Sequence, residues 1–179
     1  MFKAIFLDKD GVINHLVQRP DGRLTSPWHL DELILFPNVF ESVEQFKKMG
    51  YKVFVVTNQP GVLDGEMMMT DLDDICSFLE DEVGIDHVLY ALKKDSPLYK
   101  PNNGMIEALI RTYEIDREPS FLIGDRCNDI IAGNTSNLKT IYISDNNHVE
   151  DCGLVKPDYI KTNIWEACKL IMELNNERV

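Results

Sequence analysis

A chain of 179 residues, 44% hydrophobic and 27% charged, is long enough to bury a core of its own and has the composition of a soluble globular protein. Its net charge of −12 repels nucleic-acid backbones and anionic membranes, which argues against both as partners, yet a phosphorylated small molecule remains compatible if a local cation receives it. No run approaches the roughly 18–20 apolar residues that cross a bilayer. The opening MFKAIFLDKD lacks the long apolar stretch of a signal peptide, so the expected location is the cytoplasm.

Short apolar runs alternate with helical patterns along the chain. That alternation predicts an α/β fold, a Rossmann-like three-layer sandwich on a mainly parallel sheet, and residues 1–179 read as one domain. The first strand is expected over Lys3–Leu7, apolar enough to be buried on both faces. Residues 14–37 are polar, carry Pro and Gly, and are too long for an ordinary turn. They read as a flap or small hairpin over one end of the sheet. Arg19, Arg23, Trp28 and His29 lie within it, although scattered loop residues of this kind are more often packing or surface groups. A helix follows over Val39–Met49, then a strand over Lys52–Val56, and a helix over Thr70–Val83 for which Thr70 is a suitable cap. Strand Val88–Leu92, helix Asn103–Tyr113, strand Phe121–Ile123, helix Asn128–Thr135, strand Thr140–Ile143 and helix Thr162–Asn175 complete the reading. Cys76, Cys127, Cys152 and Cys168 are far apart and form no C-x-x-C pair, so free thiols are expected and a zinc site is not.

What each apolar run leads into is more informative than the runs themselves, because ligands of parallel sheets bind beyond the carboxyl ends of the strands. The first run leads into Asp8-Lys9-Asp10-Gly11, the second into Thr57-Asn58-Gln59, and Phe121–Ile123 into Gly124-Asp125-Arg126, with Asp129 four residues beyond Asp125. Lys100-Pro101 sits between the third strand and the next helix. Singly, each has a bland reading: turn aspartates, a capping threonine, a solvated lysine. Together they describe one site. Carboxylates from Asp8 and Asp125, with a carbonyl near Asp10, suit an octahedral Mg²⁺ with all-oxygen ligands. Asp8 is placed to attack phosphorus, and Asp10, two residues on along an extended chain, to exchange protons with the leaving oxygen and water. Thr57 and Lys100 supply donors for the phosphoryl oxygens, and Asp129 suits a supporting role towards magnesium waters or Lys100.

In order and placement these residues resemble the four motifs of the haloacid-dehalogenase superfamily: D-x-D-G, a strand-terminal Thr, a Lys, and G-D-x-x-x-D. The stretch Phe6–Asn14 is similar to the start of two bacterial groups, the D-glycero-D-manno-heptose 1,7-bisphosphate phosphatases and the histidinol-phosphate phosphatases. Phe36-Pro37-Asn38-Val39, Thr57-Asn58-Gln59-Pro60-Gly61-Val62, Lys100-Pro101 and Phe121–Ile130 continue the likeness. The resemblance implies a phosphatase fold without a large cap domain, with Asp8 as nucleophile and Asp10 as acid/base. It further implies Asp8, Asp10 and Asp125 as magnesium ligands, phosphate binding by Thr57, Asn58 and Lys100, and Arg126 near the substrate. The implied reaction is hydrolysis of a small phosphomonoester, a heptose phosphate or bisphosphate first and histidinol phosphate second. A polynucleotide 3′-phosphatase and a non-catalytic binding module are further alternatives. Two departures matter. Residues 92–99 carry no Cys or His where such relatives hold a zinc loop, and Tyr99 stands where the heptose enzymes have Arg, which removes a contact for a second phosphate. Pro60 likewise replaces a small hydroxyl residue. Oligomeric state has no signal in the sequence.

Overall fold

A computed structural model describes residues 1–144 and 152–176. In chain order these form β1 (Lys3–Leu7), an antiparallel hairpin of β2 (Val17–Gln18) and β3 (Leu24–Thr25), α1 (Val39–Lys48), β4 (Tyr51–Asn58) and α2 (Met69–Phe78). Then come β5 (His87–Ala91), α3 (Gly104–Tyr113), β6 (Phe121–Gly124), α4 (Cys127–Thr135), β7 (Lys139–Ile143), β8 (Tyr159–Lys161) and α5 (Ile164–Asn176).

Six strands form one sheet in the order β5-β4-β1-β6-β7-β8, and every neighbouring pair is parallel. Such a sheet must be covered on both faces, and β1 shows how: Ile5 and Leu7 enter one core with α1, α2 and α5, while Ala4 and Phe6 enter a second with α3 and Ala132 of α4. β1 connects onward to β4 on one side and β6 to β7 on the other. The crevice where connections diverge therefore opens at the carboxyl ends of β1 and β6. Among the described residues no insertion is large enough to form a cap domain, and no helix is long and apolar enough to cross a membrane.

Several boundaries differ from expectation for identifiable reasons. β4 continues through Thr57 and Asn58, which pair with Tyr90 and Ala91, so both lie on the last rungs of the strand and not in the turn after it. The helix expected over Thr70–Val83 is α2 followed by one wider, π-helical turn over Leu79–Val83. Met68, with no capping side-chain bond, holds the N-cap position assigned to Thr70. β8 is an additional strand: short, on the sheet edge and largely unburied, it has no apolar run to announce it. The expectation of four free thiols is corrected. Cys76 and Cys168 are free and buried, but Cys127 at the start of α4 is disulfide-bonded to Cys152, 25 residues away in sequence. Only the fold, by bringing Cys152 beside the start of α4, makes that pair adjacent.

Candidate active site

At the mouth of the β1–β6 crevice one lysine organises three elements. Lys100, 3% exposed, donates from Nζ to Asp8 Oδ1 at 2.8 Å, to Asp129 Oδ1 at 2.6 Å and to the carbonyl of Val56 at 2.7 Å. The three protons of an ammonium group thus meet three acceptors. Burial, the largest influence, works against its charge, but Asp129 and Asp8 outweigh it and hold Lys100 protonated. The second oxygen of Asp129 accepts the backbone N–H of Arg126 at 3.1 Å, tying the start of α4 into the same network.

Negative charge is nonetheless in surplus there. Burial, then the charge of Asp129, pushes the Asp8 carboxyl up to about 6 despite Lys100. Burial, then Asp8 and Asp129, pushes Asp125 up to about 8. Oxygens of Asp8, Asp125 and Asp129 lie within 4.8 Å of one another, and Oδ1 of Asp125 is buried without a hydrogen-bond partner. An orphaned buried carboxylate oxygen beside two further carboxylates fits a hard divalent cation such as Mg²⁺. Gly11 makes the arrangement possible, because at φ +88° any Cβ there would fall on the Asp125 carboxylate. Gly124 similarly leaves room for the side chain of Asp129.

Asp10 sits apart from this network, within its own ring of donors. Lys9 Nζ at 2.6 Å and Asn14 Nδ2 at 2.9 Å donate to Oδ1, while Ser26 Oγ at 2.6 Å and Gln59 Nε2 at 2.9 Å donate to Oδ2. Burial would raise this carboxyl, but the Lys9 charge and the hydrogen bonds from Lys9, Ser26 and Asn14 carry it below its ordinary value. Lys9 is wholly buried, unusual for a residue that from sequence fills the variable place between two aspartates. Lys9, Asn14, Gln59 and Ser26 were all missed as site residues. The first three lie inside recognisable motif stretches, whereas nothing in the sequence marks Ser26.

The remaining expected residues divide. Thr57, 1% exposed, lies at the crevice with Oγ1 accepting from Gln59 Nε2 at 2.9 Å. Asn58 faces Lys100 instead of open space: its Oδ1 accepts the Lys100 N–H and its Nδ2 donates to the Lys100 carbonyl, each at 2.9 Å. Arg126 is exposed and lines, with Arg23, Ser26, Tyr99 and Glu66, a cavity of about 470 Å³ above Asp8 and Asp10. In the hairpin segment Arg19 stacks on Trp28, Arg23 reaches Glu66 across the cavity at 2.6 Å, and His29 lies 3.4 Å from Asp71.

Residues 6–156 match the family described as polynucleotide kinase 3 phosphatase. Among curated proteins, the D-glycero-beta-D-manno-heptose-1,7-bisphosphate 7-phosphatase of Pasteurella multocida (strain Pm70) is 28% identical over 192 residues, covering 98% of this chain and 100% of the relative. The D-glycero-alpha-D-manno-heptose-1,7-bisphosphate 7-phosphatase of Burkholderia mallei (strain ATCC 23344) is 31% identical over 153 residues, 77% of each chain. In fold, the D,D-heptose 1,7-bisphosphate phosphatase from B. bronchiseptica, solved with magnesium and phosphate, superposes with a TM-score of 0.81 at 19% identity. The match covers 96% of this chain and 99% of that one. The chain belongs to the polynucleotide kinase 3 phosphatase family, and its fold is that of haloacid-dehalogenase-like proteins.

Proposed function

We propose that this chain hydrolyses small phosphomonoesters, foremost a heptose mono- or bisphosphate, in two steps through a phosphorylated Asp8. The observation that carries this reading is the meeting of Asp8, Lys100 and an orphaned Asp125 oxygen at the end of β1, with Asp10 held separately beside them. Relatives named as heptose bisphosphate phosphatases, two of them matched over nearly the full chain, supply the substrate class. In the first step Asp8 Oδ bonds to phosphorus as the ester P–O bond breaks, and Asp10, ionised in the free site and entering this step in its protonated form with substrate bound, gives a proton to the departing oxygen. In the second, Asp10 takes a proton from water, whose oxygen bonds to phosphorus and releases phosphate and free Asp8. Thr57 and Lys100 donate to the phosphoryl oxygens, where charge must be stabilised throughout the transfer. Asn58 serves that binding through the Lys100 backbone, Asp129 keeps Lys100 aimed, and Arg126 meets the substrate at the cavity wall. Mg²⁺, held by Asp8, Asp125 and a carbonyl of Asp10, would neutralise charge on the phosphoryl group when bound.

The description of the matching family favours a second reading, a nucleic-acid 3′-phosphatase. The net charge of −12 weighs against it. A panel with Mg²⁺ separates the readings: heptose 1,7-bisphosphate, a heptose monophosphate, histidinol phosphate and a 3′-phosphorylated oligonucleotide. Preference for a heptose ester is expected. Preference for histidinol phosphate or the oligonucleotide would overturn the substrate assignment, and turnover of none would overturn the function.

A further inference from the structure

The hairpin segment does more than roof the cavity, because Ser26 touches the acid/base. Ser26, just beyond the return strand β3, places Oγ 2.6 Å from Asp10 Oδ2. Its backbone is held by Arg19, whose guanidinium donates to the Ser26 carbonyl at 3.1 Å, to Thr25 Oγ1 at 2.8 Å and to both oxygens of Glu32 at 2.6 and 2.8 Å, while stacking 3.5 Å from the Trp28 ring. Hairpin, brace and acid/base form one connected set. Three of the four groups around Asp10 meet it through nitrogen donors, the Lys9 ammonium and the amide nitrogens of Asn14 and Gln59. Ser26 alone presents a hydroxyl, donor and acceptor on one atom, and it does so at Oδ2.

We infer that Ser26 is a positioning residue for leaving-group protonation: it holds the Asp10 carboxyl at the angle from which its proton reaches the departing oxygen, which makes the hairpin part of the catalytic apparatus. The inference rests on the phosphatase reading above. It concerns the step in which the Asp8–phosphorus bond forms, the ester P–O bond breaks and the Asp10 proton passes to the leaving oxygen. An alkoxide needs that proton, whereas p-nitrophenolate departs without it.

The test compares kcat/KM, which reports the first phosphoryl transfer, on an alkyl phosphate and on p-nitrophenyl phosphate in Mg²⁺. Ser26→Ala should lose about 10-fold or more on the alkyl ester and less than about 3-fold on the aryl ester, with Ser26→Thr recovering most of the difference. Equal losses on both esters, or none on either, would overturn the role of Ser26 alone. Asp10→Asn, assayed alongside, should show the same selectivity more strongly. Undiminished alkyl-ester turnover in Asp10→Asn would overturn the role assigned to Asp10 and the inference with it.

Discussion

The two walls of the cavity are built on different physical terms. The inner wall consists of strand ends and the first turn of α4: Asp8, Thr57 and Asp129 are nearly inaccessible, and Lys100 joins them through hydrogen bonds that cross from β1 to β4 and α4. The outer wall is the hairpin segment, whose cohesion comes from the Arg19–Glu32–Trp28 brace and from exposed pairs such as Arg23 with Asp21 and Glu66. Charges buried together without water must be matched closely, so the inner wall tolerates little change. Charges in water are screened and replaceable. The first wall therefore sets the distances around Asp8, and the second bears on the chemistry through the single Ser26–Asp10 bond.

The difference can be broken most forcefully at Lys100. Lys100→Met leaves Asp8 and Asp129 facing each other without their cation, so it should destabilise the protein by about 3–5 kcal/mol in a denaturant titration. It should also lower kcat by roughly 10²–10³-fold. A variant as stable as wild type would show that the inner wall is not held by this lysine. A subtler probe is pH in the absence of metal. Asp125 is raised from 3.8 to about 8 in the fold, so between those values the folded state binds more protons than the unfolded state. Stability contributed by that bound proton is complete below the unfolded pKa and is lost as pH rises through the folded one. The metal-free protein should therefore melt at progressively lower temperature from about pH 5 to pH 8. Added Mg²⁺, which needs the carboxylate form, should raise the melting temperature more at pH 8 than at pH 6. A metal-free melting temperature that climbs over this range would contradict the charge surplus. The outer wall should give the smallest response. Arg23 is 55% exposed, and Arg23→Gln should leave the melting temperature where it was. A clear drop would erase the contrast between the walls.

The same contrast explains what could be read in advance. Asp8, Thr57 and Asp125 were legible because each lies at the carboxyl end of an apolar strand, and the periodicity that places the strand also places its end. The all-parallel sheet followed from alternation of runs and helices for the same reason. Ser26 and the disulfide partner of Cys127 were not legible. Their neighbours are set by how irregular segments fold back in space, and no spacing rule carries that information. Lys9 is an intermediate case: its position was plain, but its complete burial depends on Asp10 and Asn14 turning inward to meet it. Asn58 was recognised for its place in the Thr-Asn-Gln run, yet only the structure shows its amide clasping the backbone of Lys100.

The central claim is that Asp8 carries the phosphoryl group between the two steps. Borohydride reduces an acyl phosphate to an alcohol, so quenching the Mg²⁺-loaded enzyme during turnover and mapping its peptides reads out the phosphorylated residue directly. Homoserine at position 8, in an amount that rises with substrate and is absent from Asp8→Asn, is the predicted result. Rapid turnover with residue 8 recovered only as unmodified aspartate would contradict it.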